Sequence, residues 1–267
     1  MSARIVDLEA LNFRSEPVVN PGNRIGILHL GQSIDERGPA DQPGWVRVKA
    51  QVNGATKEGV VKGEIEGRLS LREPVSTARE ALVAEVIKEW LRFERGLGLE
   101  HHDPFFKFVG EMWQAIGLEL DGKDRDTPWS AAAISFMVRN AGKKVPKYSG
   151  FKFAPSHSKY MHASITKRKA ADNSAPFWGF RLHEKQPEIG DIVGKWRETS
   201  RDFDDAAAGD SFKSHSDIIV SVRPDHVLAI GGNVQQSVNI TRYEKTGAGF
   251  LAAQDGVFIL MANQTDH

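Results

Sequence analysis

The sequence of 267 residues contains no cysteine. This absence excludes disulfide bonds, catalysis by a thiolate and metal sites with cysteine ligands, and it leaves the redox compartment open. No segment approaches the roughly 20 consecutive apolar residues that a membrane-spanning helix needs, so we expect no membrane span. The first residues contain no apolar run of signal-peptide length. We therefore expect a soluble protein that is made in the cytoplasm.

An excess of charge of either sign is also lacking. The 35 basic and 35 acidic residues give a formal net charge of zero. A dedicated nucleic-acid-binding protein usually carries a basic excess, so we expect no nucleic-acid partner. The histidines show no metal-ligand spacing with acidic partners. The sequence therefore predicts no metal ion and no other cofactor.

One segment, from Lys143 to Ala171, has eight basic residues and no acidic one. An acidic stretch from Glu184 to Asp210 follows it, and we interpret the basic segment as a solvated face that this stretch balances. The alternative is a rim that attracts an anionic polymer.

Short apolar runs separated by glycine and proline characterise residues 1–72, the first predicted domain. The runs are Ile25 to Leu28, Trp45 to Val48 and Gly59 to Val61. Short strands with regular turn signals predict a small barrel or sandwich.

The opening of this domain, Leu11-Asn12-Phe13-Arg14-Ser15-Glu16-Pro17, and its later Gly44-Trp45-Val46-Arg47-Val48 step resemble a bacterial SH3-like domain. The resemblance implies a small SH3-like β-barrel that binds a ligand. The alternative is another small barrel with an ordinary tryptophan in its core.

The pattern changes period after Pro74, and we assign residues 75–267 to a second domain. Thr77 and Glu80 have capping-box spacing and precede apolar residues at helical intervals. Further helices are predicted from Asp103-Pro104 and from Thr127-Pro128 to Gly142. Residues 143–186 look irregular, and short β-type runs follow from Gln186 onward. Three helices followed by an antiparallel sheet predict the α+β class.

Ser130 lies in the first turn of the third predicted helix, on its apolar face. A nucleophile there benefits from the free N–H groups and the positive end of the helix dipole. The same N–H groups can help to hold a developing oxyanion. The alternative is a capping serine, which is common in first turns.

A second group of candidate residues surrounds His215, which opens a predicted strand. Asp217 follows two residues later and shares its face. A turn leads to another strand that ends in Gly231-Gly232-Asn233, and this hairpin can bring Asn233 beside His215. Such a base with a polar partner fits a nucleophile–base–orienter triad. The alternatives are a half-buried histidine at a strand end and an asparagine in a turn.

The order of these segments resembles the NlpC/p60 and CHAP branch of papain-like hydrolases, and most of all the family called domain of unknown function 2272. The matching motifs are Pro128-Trp129-Ser130-Ala131, Gly190-Asp191, His215 to Val220 and Gly231 to Asn233. The resemblance implies a papain-like domain of helices packed on an antiparallel sheet. It also places Ser130 where this branch has its nucleophilic cysteine.

The same resemblance implies roles for the other candidates. His215 stands at the position of the general base, and Asn233 is the expected orienting residue with Asp217 as its competitor. Trp129, His157 and Tyr160 are the expected substrate-binding residues.

The two resemblances together imply a hydrolase of peptidoglycan amide bonds, either an amidase or an endopeptidase, with the SH3-like domain as its wall-binding module. We expect it to act at the cell wall or in the periplasm after delivery, as lysins and toxin effectors do, with delivery machinery or an immunity protein as a further partner. One alternative is a catalytically inactive module that binds the wall or a partner. Another is a serine hydrolase of a different ester or amide.

Overall fold

The computed structural model describes residues 2–198 and 200–266. The chain divides into two compact units, and the division falls between Thr77 and Ala78. Pro74, the predicted boundary, lies between the last strand of the first unit and the first helix of the second.

The first unit is built from antiparallel strands. They are β1 (Ser2–Val6), β2 (Ala10–Arg14), β3 (Arg24–His29), β4 (Ser33–Pro39), β5 (Trp45–Val52), β6 (Ala55–Lys62), β7 (Glu64–Ile65), β8 (Arg68–Leu69) and β9 (Leu71–Arg72). Seven of them form one sheet in the order β3-β2-β6-β5-β4-β1-β9, and β7 pairs with β8. All three predicted apolar runs lie in these strands, so the prediction of a β-rich first unit is confirmed.

Alternating burial along β5 shows how this sheet forms its core. Val48, Ala50 and Val52 are buried, and Phe13 of β2 and Leu28 of β3 join them in one apolar cluster. Residues two apart point to the same face of a strand, so this face of β5 packs inward.

The helices within the described part of the second unit are α1 (Thr77–Arg92), α2 (Phe105–Gln114), α3 (Ser130–Gly142), α4 (His157–Lys169) and α5 (Phe203–Ala208). The first three lie where the sequence predicts helices. Helix α2 begins just after the predicted start at Asp103-Pro104, and its N-cap residue Pro104 provides no side-chain cap.

The prediction of an irregular segment over residues 143–186 is wrong. This segment contains α4 and the strand β10 (Phe177–Phe180). The buried face of α4 is largely polar, since it includes His157, Ser158 and Ser164. Because the search for helices relied on apolar periodicity, a helix that buries polar residues gave no signal.

The second sheet is antiparallel and has the strand order β10-β15-β11-β12-β13-β14. Its further strands are β11 (Ile192–Trp196), β12 (Ser214–Val222), β13 (His226–Val234), β14 (Ser237–Glu244) and β15 (Val257–Asn263). Helix α3 packs on β12 and β13, and α4 packs on β10, β12 and β15. The expected α+β class is confirmed, and β12 is the strand that both helices share.

A buried ion pair between Arg79 and Asp191 holds three parts of the second unit together. Arg79 Nη1 lies 2.9 Å from Asp191 Oδ1, and Arg79 Nη2 donates to the backbone oxygen of Asn263 at 2.9 Å. Asp191 also accepts from the backbone N–H groups of Glu188 and Asn263, both at 2.9 Å. The Gly190-Asp191 motif thus connects the start of α1, the start of β11 and the end of β15.

Candidate active site

Ser130 is the first residue of α3, and its hydroxyl is hydrogen-bonded to a histidine. Ser130 Oγ lies 2.6 Å from Nε2 of His157, the first residue of α4. The two side chains are 2% and 4% exposed. The N-cap Trp129 gives no side-chain cap. Because the first N–H groups of a helix have no acceptor within it, those of α3 stay available beside the serine hydroxyl.

Two further hydroxyl groups surround the other ring nitrogen of His157. Nδ1 lies 2.8 Å from Ser216 Oγ of β12, and it is also hydrogen-bonded to the hydroxyl of Tyr160. These two hydroxyl groups are 2.9 Å apart. With its proton on Nδ1, the imidazole donates to this hydroxyl pair while Nε2 accepts from Ser130, which is the arrangement of a general base.

Burial determines the protonation of this cluster. It lowers the pKa of His157 well below its usual value, and the guanidinium of Arg197 adds to the effect. Burial also raises the pKa of Tyr160 well above its usual value. At neutral pH the site therefore has a neutral imidazole and an intact phenol hydroxyl.

His215 and Asp217 form a second buried pair beside the first. His215 Nε2 donates to Asp217 Oδ1 at 2.8 Å, and Arg197 Nη2 donates to His215 Nδ1 at 2.8 Å. Arginine can only donate, so Nδ1 of His215 accepts this hydrogen bond. The centres of the His157 and His215 rings are 5.2 Å apart.

Asp217 stays ionised although it is completely buried. Burial alone would raise its pKa, but the interaction with His215 and the hydrogen bond from Tyr243 lower the pKa to about 2. The site therefore contains one fixed negative charge, and its field favours a positive charge on His157.

Gly231 and Gly232 allow β13 to approach Asp217 and helix α3 closely. A Cβ atom on Gly231 would lie 1.7 Å from Asp217 Oδ1, and one on Gly232 would lie 2.3 Å from the Cβ of Ala133 in α3. Both glycines are therefore explained by close packing around the candidate residues. Asn233 has a φ of 54°, a left-handed conformation that asparagine adopts more readily than most residues.

A cavity of about 330 Å³ opens beside Ser130 and His157. Its other lining residues include Trp113, Phe212 and Arg197. A separate cavity of about 510 Å³ is lined by His215, Asn233 and Arg197. Arg197 is thus the residue that both cavities share.

The structure brings only some of the predicted site residues together. Ser130 was expected to pair with His215, but its hydrogen bond goes to His157, which sequence reasoning placed among the substrate-binding residues. His215 instead pairs with Asp217, which shares its face of β12. Among the described residues, no hydrogen bond joins Asn233 to His215; the two only line one cavity.

The other expected substrate-binding residues lie in the interior. Trp129 is 2% exposed, stacks on Phe93 with ring centres 5.7 Å apart, and donates its Nε1 hydrogen to Glu100. Tyr160 is buried against His157. Both side chains are thus packed against other residues of the second unit, and their substrate-binding role stays a prediction.

Sequence reasoning missed three residues of the site: Arg197, Ser216 and Tyr243. Ser216 lies within the predicted strand motif and was the easiest to find, since it stands between His215 and Asp217. Arg197 follows β11 and Tyr243 lies in β14, and no local spacing connects them with Ser130.

The family model described as an uncharacterized protein conserved in bacteria (DUF2272) matches residues 102–264. The chain belongs to the DUF2272 family. The match includes every residue of the two histidine pairs, and Arg79 lies before it. Among curated proteins no match is found.

The described residues of this DUF2272 member contain neither a candidate metal cluster nor a candidate membrane-spanning helix. Within residues 2–198 and 200–266, no group of three or more histidine, aspartate or glutamate side chains could hold a metal ion. No helix in the same described ranges is long and apolar enough to cross a membrane.

Proposed function

We propose that this DUF2272 member is a serine hydrolase that cleaves an amide bond of peptidoglycan, with Ser130 as the nucleophile and His157 as the general base. The observation that carries the proposal is the 2.6 Å hydrogen bond between Ser130 Oγ and His157 Nε2 beside an open cavity. A nucleophile within hydrogen-bond reach of its base is the geometry that acyl transfer requires.

The reaction would proceed in two balanced steps. Ser130 Oγ attacks the carbonyl carbon while its proton moves to His157 Nε2, and the amine then leaves with that proton. A water molecule next attacks the Ser130 ester as His157 again accepts a proton, which releases the acid and restores the serine. N–H groups at the start of α3 would stabilise the oxyanion in both steps.

His157 differs from the histidine of a Ser-His-Asp triad because its Nδ1 contacts hydroxyl groups instead of a carboxylate. Neutral partners stabilise the imidazolium less than a carboxylate does. The charge of Asp217 lies behind His215 and provides this stabilisation from a greater distance.

The peptidoglycan part of the proposal rests on the two sequence resemblances. The first unit, whose motifs resemble a bacterial SH3-like domain, would hold the enzyme on the wall polymer. The cavity beside Ser130 would take the stem peptide or the sugar–peptide link.

A catalytically inactive binding module is the second candidate. The observation that favours it is the small exposed fraction of the pair, 2% for Ser130 and 4% for His157. On this alternative the cavity binds its ligand without turnover.

Digestion of purified peptidoglycan, with products identified by mass spectrometry, tests the proposal. We expect new muropeptides from the wild type and a loss of rate of about 10⁴-fold or more in Ser130→Ala. The control is His162→Gln, which changes another histidine of α4 and leaves the proposed dyad intact. No product from the wild type, together with binding of peptidoglycan by both the wild type and Ser130→Ala, would contradict the enzyme and support the binding module.

A further inference from the structure

Arg197 follows β11 and faces both cavities of the candidate site. Its backbone N–H donates to the oxygen of Lys213 at 3.0 Å, and this bond fixes the residue beside the start of β12. The only side-chain partner it has among the described residues is Nδ1 of His215. An imidazole ring carries no negative charge, so this hydrogen bond does not neutralise the guanidinium.

Several other arginines of the second unit form ion pairs with carboxylates. The ion pairs include Arg79 with Asp191, Arg92 with Glu111, Arg168 with Glu184, Arg181 with Asp204 and Arg242 with Glu244. No carboxylate among the described residues forms an ion pair with Arg197, and this residue is exposed. An exposed cation that lines a cavity is accessible to an anionic ligand.

Arg197 gives the cavity beside Ser130 an unpaired positive charge. The lining also contains Lys213, which forms an ion pair with Glu198, and, within the described part of the chain, no aspartate or glutamate. Much of the remaining wall is apolar and includes Trp113 and Phe212. Apolar walls lower the local dielectric constant and strengthen the attraction of an anion to the guanidinium.

We infer that Arg197 binds a carboxylate of the substrate, close to the carbonyl group that Ser130 attacks. The planar guanidinium offers two parallel N–H groups to a carboxylate, which gives orientation as well as affinity. The substrate class is then an acyl compound with a free carboxylate near the scissile amide, such as a short peptide cleaved next to its C-terminus or next to an acidic residue. The identity of the scissile bond rests on the proposed function, whereas the carboxylate subsite does not.

Calorimetric titration tests the inference by comparing the affinities of two ligands. One is the set of stem peptides released from purified peptidoglycan, and the other is the same peptides with their carboxylates converted to methylamides. Ser130→Ala protein is used so that no peptide is cleaved. We expect it to bind the free acids at least about tenfold more tightly than the amides. Adding Arg197→Gln removes this preference, whereas adding Arg242→Gln, which deletes an exposed cation of β14, preserves it.

If Arg197→Gln does not fold, Arg197→Lys replaces it, and we expect a clear reduction of the preference because the two parallel N–H groups are lost. Equal affinity for both peptide forms, binding of neither form, or a preference that survives the change at Arg197 would each overturn the inference. Wild-type digestion of peptidoglycan without a carboxylate preference would refute the subsite alone. A carboxylate preference without any digestion would refute the proposed hydrolase and leave the subsite standing.

Discussion

At the scale of single residues, the protonation of His157 governs the chemistry that we propose. A general base works in its neutral form, and burial keeps His157 neutral to a lower pH than an ordinary histidine. Its partners Tyr160 and Ser216 are uncharged and do not reverse this shift.

We therefore expect kcat/KM to reach its plateau below pH 6.5, since the base loses its bound proton at its lowered pKa. The measurement is a pH–rate profile between about pH 4 and 8, with folding followed by circular dichroism at each pH as the control. The same shift makes folding less favourable as the pH falls below about 6.5, because the unfolded chain then binds a proton that the buried ring does not. A kcat/KM that already declines at pH 6.5 or above as the pH is lowered, while the protein remains folded, would contradict His157 as the base.

The sequence suggested Ser130 as a candidate nucleophile because a serine at the start of an apolar helix face is a local pattern. It also placed Asp217 on the face of His215, since the period of a strand is two residues. The partner of Ser130 could not be predicted, because His157 lies 27 residues away on a helix whose buried face is polar. Only the packing of α3 and α4 on the sheet decides which histidine meets the hydroxyl.

At the scale of elements, the close approach of β13 to β12 and α3 explains the two consecutive glycines. Sequence reasoning placed them at the end of a strand, and both lie within β13 (His226–Val234). Gly231 leaves room for the Asp217 carboxylate, and Gly232 leaves room for the first turns of α3.

Gly231→Ala tests this packing. The added methyl group would meet Asp217 Oδ1 and must displace it, so we expect a loss of about 1–3 kcal/mol in the free energy of unfolding. Urea denaturation measures the change. Gly247→Ala is the matched control because no atom lies within 4 Å of its added Cβ, and we expect a change of less than about 0.5 kcal/mol. Equal stability of the two variants would contradict the packing argument.

At the scale of the whole molecule, the change of hydrophobic period near Pro74 was enough to predict a β-rich first unit and a second unit of helices followed by strands. Strand order could not be predicted, since β15 pairs with both β10 and β11 across long stretches of chain. The SH3-like and papain-like assignments remain predictions that rest on the sequence motifs.

The two units have different proposed functions. The reactive groups all belong to the second unit, which contains the DUF2272 match, while wall binding is assigned to the first. The central claim is therefore that the Ser130–His157 pair reacts as a nucleophile and base, whatever the substrate proves to be.

Labelling with a fluorophosphonate tests this claim most directly, with the modified residue located by mass spectrometry in the wild type, His157→Gln and His215→Gln. We predict an adduct on Ser130 in the wild type, a loss of labelling rate of about 100-fold or more in His157→Gln, and a smaller loss in His215→Gln. An unlabelled Ser130 in the wild type, or labelling that depends on His215 and not on His157, would contradict the account.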